Sequence, residues 1–180
     1  MSKMPLFYFA YGSNMSVRRL KDRLPAASPR DVAHLHEHEL RFHKTGRDGS
    51  GKCDAHETGD SRHAVIGIVY KISQADILIL DKIEGIGVGY ERKTVSLSSQ
   101  SMGSIKAFTY YATSTDSSLL PFQWYKHHVM VGAREHNLPT AYIDAINNVQ
   151  SMADPDQERH RHEIRIYSGL DLFGFNKTEN

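Results

Sequence analysis

The spacing of apolar and polar positions changes several times along the chain, and each change marks an element. Leu6 to Tyr11, LFYFAY, is an aromatic run that suits a pleated strand and stops at Gly12-Ser13-Asn14. Ser16 then stands where it can cap a short helix with Val17, Leu20 and Leu24 on one face, and Pro25 ends it. Ala33 to His43 reads as a second strand, Leu40 and Phe42 alternating with charged neighbours. KTGRDGSGKCDAHETGDSRH is polar and glycine-rich, a loop or irregular strand pair, and HAVIGIVYKI after it is a buried strand.

A helix starts at Ser73, with Asp76 in a capping-box position, runs through DILILDKIE and meets Gly85 as a C-terminal stop. YERKTVSLS and SIKAFTYYAT alternate as two strands around the turn SQSMG. A longer helix is expected from about Leu120 to His136, and Thr140 is expected to cap the next one, AYIDAINNV. The tail from Asp154 is charged and peripheral until HEIRIYSGL, which reads as a late strand or a surface-packed segment. Consecutive strands without helices between them argue for an α+β domain with a mixed or antiparallel sheet. Short aromatic strands also suit a small closed barrel, so the expected fold is a small mixed β-barrel with flanking helices.

Composition narrows the function classes. A chain of 180 residues suits one domain, spanning 1–180, with a core of its own. The 22 Lys+Arg against 21 Asp+Glu leave no basic surplus for nucleic acid or an anionic membrane. No apolar run approaches the roughly 20 residues of a membrane-spanning helix, and no signal peptide is evident. Cys53 is alone, so no internal disulfide forms, which fits a reducing cytoplasm.

Two clusters invite chemical readings. Glycines 85, 87 and 89 in LDKIEGIGVGY could suggest a phosphate loop, but a dinucleotide fingerprint needs a strand before it and a helix after it, and here the order is reversed. Glu84, at the last turn of its helix, stands where the macrodipole disfavours an anion. It is either a solvated carboxylate or, if partly buried, one with a raised pKa suited to a general base. The 11 histidines raise metal binding: HLHEHEL would set His34, His36 and His38 on one strand face, and Cys53 and His56 form a C-x-x-H pair. No four-ligand zinc spacing appears, so no metal or other cofactor is expected. A Cys53–His56 nucleophilic pair is a further alternative, as is a structural thiol.

Three segments in order, FAYGSNM, LDKIEGIGVGY and YKHHVMVGAREHNLP, resemble the γ-glutamylcyclotransferase-like (AIG2-like) family over roughly Leu6 to Ile146. The stretch GSGKCDAHETGD departs from better-known members by being polar, and looks more like a bacterial subgroup. The resemblance implies cleavage of a γ-glutamyl amide by attack of its own α-amino group, giving 5-oxoproline and a free amine, with Glu84 as the base. It also implies that Tyr8, Phe9, Ala10, Tyr11, Gly12, Ser13 and Asn14 line the glutamyl pocket. Tyr125 would contact substrate through its hydroxyl, and Tyr90 would be a pocket wall. The implied partner is a small γ-glutamyl substrate, with pairing into a homodimer raised by the relatives. A non-catalytic binding domain of the same fold is the rival reading.

Overall fold

The computed structural model of the chain describes residues 6–169. In chain order these form β1 (Leu6–Ala10), α1 (Val17–Arg23), β2 (Ser28–His36), β3 (His38–Thr45), β4 (Gly51–Glu57), β5 (Ala64–Ile72) and α2 (Gln74–Glu84). There follow β6 (Tyr90–Ser99), β7 (Gly103–Ala112), α3 (Gln123–Glu135), α4 (Thr140–Asn147) and α5 (Gln157–Ile164). Five strands close a barrel in the order β1-β5-β2-β6-β7. Its neighbours run antiparallel except β1 and β7, which meet in parallel at Tyr8 and Phe108, so the barrel is mixed. Phe9, Val65, Ile68, Val69, Leu20, Leu80 and Val129 are fully buried where barrel and helices meet.

The expected single strand from Ala33 to His43 is two strands. Glu37 takes a left-handed conformation (φ 60°), its N–H donates to the His63 carbonyl, and its own carbonyl accepts from Thr58 and Gly59. There the chain leaves the barrel, and β3 pairs with β4 as a separate two-stranded ribbon. The polar KTGRDGSGKCDAHETGD stretch therefore holds a strand, with Cys53, Asp54 and Ala55 buried. The reversal also breaks up the expected histidine face. His34 and His36 stack with ring centres 6.3 Å apart, while His38, beyond the turn, is buried and bonded through Nδ1 to the His36 carbonyl.

Helix α2 is as its sequence suggests. Ser73 Oγ accepts the Asp76 N–H at 3.2 Å, the Asp76 carboxylate accepts the Ser73 N–H at 2.7 Å, and Gly85 turns left-handed (φ 69°) to end the helix. A cap of this kind contributes about 1 kcal/mol, and it sets Glu84 as the last helical residue. Helix α4 differs from expectation. Thr140 is its first residue rather than its cap, and Pro139 stands at the cap without a side-chain bond. HEIRIYSGL, expected as a late strand or a surface-packed segment, is no strand: it holds the end of α5 and a 3-10 turn, Arg165–Tyr167, with Tyr167 buried; Leu170 lies outside the described residues. None of the described helices is long and apolar enough to cross a membrane.

Candidate active site

Strand β1 delivers the chain into a buried 3-10 turn, Ser13–Met15. Helix α3 presses on this turn so closely that a Cβ on Gly132 would lie 2.5 Å from the Met15 Cβ, so a side chain there would push the two apart. On the other side Ser16 caps α1, accepting the Arg19 N–H at 3.4 Å. The Met15 N–H bonds back to the Gly12 carbonyl at 3.0 Å. The N–H groups of Ser13 and Asn14 find no acceptor among the described residues, the ordinary condition of a first helical turn.

The Asn14 side chain joins the turn to the end of α2. Its Nδ2 donates to Glu84 Oε1 and to the Tyr8 hydroxyl, each at 3.0 Å, while its Oδ1 accepts from Arg23 Nη1 at 2.8 Å. That Arg23 nitrogen lies 3.6 Å from Glu84 Oε1. Chemistry orients the amide: its NH₂ faces a carboxylate and its oxygen a guanidinium. The Glu84 side chain is 17% exposed, so the sequence's choice between a solvated and a partly buried carboxylate falls to the second.

Around Glu84 stand five tyrosines, Tyr8, Tyr11, Tyr90, Tyr110 and Tyr125, which with Gly12, Ser13, Asn14 and Cys53 line one narrow cleft. The Tyr90 hydroxyl donates to the Cys53 carbonyl at 2.6 Å, and Tyr125 Oη accepts the Cys53 N–H at 3.0 Å. Tyr11 donates to the Tyr110 carbonyl at 2.5 Å, and the Tyr110 hydroxyl to Asp81 at 2.7 Å. Burial pushes all five phenols up, so they act as neutral hydrogen-bonding groups. The Cys53 thiol, likewise buried, is pushed up to about 12 and is no nucleophile near neutrality. His56 cannot activate it, because residues three apart on a strand face opposite sides, and His56 instead meets the His43 ring.

Of the residues singled out from sequence, Tyr8, Tyr11, Gly12, Ser13, Asn14, Glu84, Tyr90 and Tyr125 meet in this one pocket. Phe9 and Ala10 do not line it: Phe9 is fully buried with its ring against Gly67, and Ala10 is 1% exposed. Tyr110 and Arg23 join the site without a signal that named them, and Cys53, which the sequence offers as a ligand, a nucleophile or a structural thiol, forms part of the wall. Arg23 falls one helical turn after Arg19 on α1, a spacing that could have suggested a shared face. Away from the pocket lining, His43, Asp54 and His56 bring one potential metal ligand each within 4.8 Å of one another. There Asp54 is already engaged, accepting His43 Nε2 at 2.9 Å and the Ala112 N–H at 2.8 Å, which ties the ribbon to β7.

Residues 64–146 match the AIG2-like family. The chain is 33% identical over 153 residues to the γ-glutamylcyclotransferase of Bos taurus, spanning 79% of this chain and 78% of the bovine protein. It is 31% identical over 150 residues to the γ-glutamylcyclotransferase of Homo sapiens, with the same coverage of 79% and 78%. A solved structure of a γ-glutamyl cyclotransferase, 26% identical, superposes with a TM-score of 0.80 over 89% of this chain and 98% of that one.

Proposed function

The chain belongs to the γ-glutamylcyclotransferase (AIG2-like) family, and we propose that it is itself a γ-glutamylcyclotransferase acting in the cytoplasm. It cleaves a γ-glutamyl amide into 5-oxoproline and a free amine. One observation carries this reading: the pocket is lined by a single charged group, the part-buried Glu84 carboxylate, held by Asn14. A substrate with an α-ammonium group complements it.

The chemistry then needs neither a protein nucleophile nor a cofactor. Glu84 takes a proton from the α-ammonium group, and the freed amine attacks the γ-carbonyl carbon of the same molecule. A C–N bond forms, and the carbonyl electrons move to oxygen, which as an oxyanion is suited to accept hydrogen bonds donated by the N–H groups of Ser13 and Asn14. The tetrahedral intermediate collapses as the original amide C–N bond breaks: the Glu84 acid protonates the leaving nitrogen, and the carboxylate so regenerated takes the second proton from the ring nitrogen and passes it to the departing amine, which leaves as its ammonium. Because attack is intramolecular, the pocket's main task is to fold the glutamyl chain. Well-oriented closures of this kind reach effective molarities of roughly 10⁵–10⁸ M.

The deciding experiment incubates the protein with a panel of γ-glutamyl amino acids and amines and measures 5-oxoproline. Release by the wild type that is lost in Glu84→Gln supports the reading. No release from any member of the panel leaves the non-catalytic binding domain in its place.

A further inference from the structure

The pocket shares Ser13, Glu84, Tyr90 and Tyr125 with a wider adjoining cleft, and charge is divided unevenly between the two. Inside, the one charge is negative. The outer cleft shares Glu84 with the pocket and adds five cations, Arg19, Arg23, Lys44, Arg47 and Lys52. Three of them are compensated. Arg19 bonds Glu163 at 2.5 Å, Arg23 bonds Asn14 beside Glu84, and Lys52 bonds Asp48 at 2.7 Å. Lys44 and Arg47 have no carboxylate within ion-pair distance among the described residues.

Lys44 is the more telling of the two. It is 7% exposed, its Nζ sits 4.5 Å from the centre of the Tyr90 ring, and desolvation draws its pKa down, with Arg47 adding to the fall and the Glu84 and Asp48 charges opposing it. A buried ammonium beside a second cation is costly unless an anion joins them. The backbone is shaped to admit both side chains. A Cβ on Gly85 would lie 2.8 Å from Arg47 Nη2, and one on Gly89 would lie 2.9 Å from Lys44 Cε. The glycine-spaced loop after Glu84, which is no phosphate loop by its topology, instead leaves room for two cations at the mouth of the site.

We propose that this cleft is the leaving-group subsite and selects γ-glutamyl amides whose leaving amine carries two negative charges. The proposal rests on reading the inner pocket as the γ-glutamyl site. The ammonium end of the substrate lies against Glu84, and the doubly anionic end lies between Lys44 and Arg47. Two carboxylates, as in an acidic amino acid, or one phosphate would satisfy the same pair. Neutral amines gain nothing there, and cationic polyamines are repelled.

The test compares kcat/KM for 5-oxoproline release from γ-glutamyl-glutamate, γ-glutamyl-phosphoethanolamine, γ-glutamyl-alanine and γ-glutamyl-putrescine. One or both dianionic substrates should exceed the alanine compound by on the order of tenfold, chiefly through KM, and the putrescine compound should be poorest. The faster dianion identifies which anion is the physiological one. Raising the salt concentration should shrink the preference. Lys44→Met and the exposed Arg47→Gln should each lower the ratio of dianion to alanine efficiency, and Arg47→Gln reports even if the buried lysine variant folds poorly. Equal efficiencies, or a ratio untouched in Arg47→Gln, overturn the proposal. If no compound is turned over, the cyclotransferase reading fails separately. The subsite is then judged by calorimetric binding of the same four compounds to the wild type, where tighter binding of a dianion upholds it and uniform or absent binding overturns it.

Discussion

Asn14 Nδ2 reaches Glu84 Oε1 across 3.0 Å, joining the turn after the first strand to the last residue of α2, 70 positions later. The same amide holds the Tyr8 hydroxyl and accepts from Arg23, so Asn14 positions the carboxylate rather than merely touching it. Asn14→Ala should leave the fold intact, because the turn's backbone bonds do not use the side chain. A hydrogen bond to a charged group contributes about 1.5–3 kcal/mol, so kcat for 5-oxoproline release should fall roughly 10- to 100-fold. The check is steady-state kinetics beside a thermal melt, and an unchanged kcat would remove Asn14 from the site.

Glu84→Gln keeps the shape and the reach of the side chain but cannot accept a proton. General-base contributions are typically about 10²–10⁴-fold, so activity should fall by that much while circular dichroism stays that of the wild type. A Gln variant within a few-fold of wild type would mean that another group takes the proton.

These two residues differ in how far sequence could reveal them. Glu84 was legible because α2 is announced by local signals: a cap at Ser73, an apolar stripe and a glycine stop, all present in the structure. Asn14 was legible only as part of a motif, since nothing local says that a turn residue will meet a helix end far along the chain. The ribbon was harder. Its two strands are separated by a left-handed Glu37, a conformation that composition does not advertise in a non-glycine residue, so β2 and β3 read as one strand. Without that reversal in view, the polar stretch around Cys53 reads as a loop or an irregular strand pair. Its contribution to the pocket wall, two backbone bonds to Tyr90 and Tyr125, uses groups that every residue carries and no sequence pattern marks.

Gly12 sits where the turn and the ribbon are closest. A Cβ there would lie 2.9 Å from the Cys53 Cβ and 3.4 Å from Tyr125 Oη. Overpacking of this kind typically costs about 1–3 kcal/mol, and here the displaced atoms form the pocket wall. Gly12→Ala should lower the melting temperature by several degrees and raise KM more than it lowers kcat. A variant with wild-type KM would show that the wall yields without reshaping the pocket.

Cys53 should be chemically quiet. Its thiol is 1% exposed and pushed up to about 12 by burial, so native protein at pH 8 should react with a disulfide reagent far more slowly than protein in denaturant. Cys53→Ala preserves the backbone N–H and carbonyl that Tyr125 and Tyr90 use, and should keep cyclising activity within a few-fold. Loss of activity by several orders of magnitude would return the nucleophilic cysteine to consideration.

Acid should loosen the support beneath the site. His128, on α3, is fully buried, with Nδ1 2.7 Å from the Tyr167 hydroxyl and Nε2 2.8 Å from Arg19 Nη1 and 3.1 Å from Glu163. Tyr167 in turn donates to Ser16, the cap of α1, so the ring stands in one network with the helix that follows the turn. The consistent neutral tautomer donates from Nδ1 to Tyr167 and accepts from Arg19 at Nε2, while Arg19 also donates to Glu163. Burial holds the imidazole down to about 3, from an ordinary 6.5. The unfolded chain therefore binds a proton between those values that the folded chain does not, and stability falls as pH drops through that window. Burial alone would raise Glu163, but the Arg19 charge and the hydrogen bond it donates hold the carboxyl below its ordinary 4.5. Its contribution is present above pH 4.5 and is lost from there downward. The urea midpoint should thus start to decline near pH 6.5, above any carboxylate titration, and steepen below 4.5. His128→Gln, which cannot take up the proton, should be less stable at neutral pH yet show a shallower decline between 6.5 and 4.5, the remainder belonging to part-buried His127 and His136, while keeping the steeper limb below it. An identical pH profile in the two proteins would mean that acid enters the fold elsewhere.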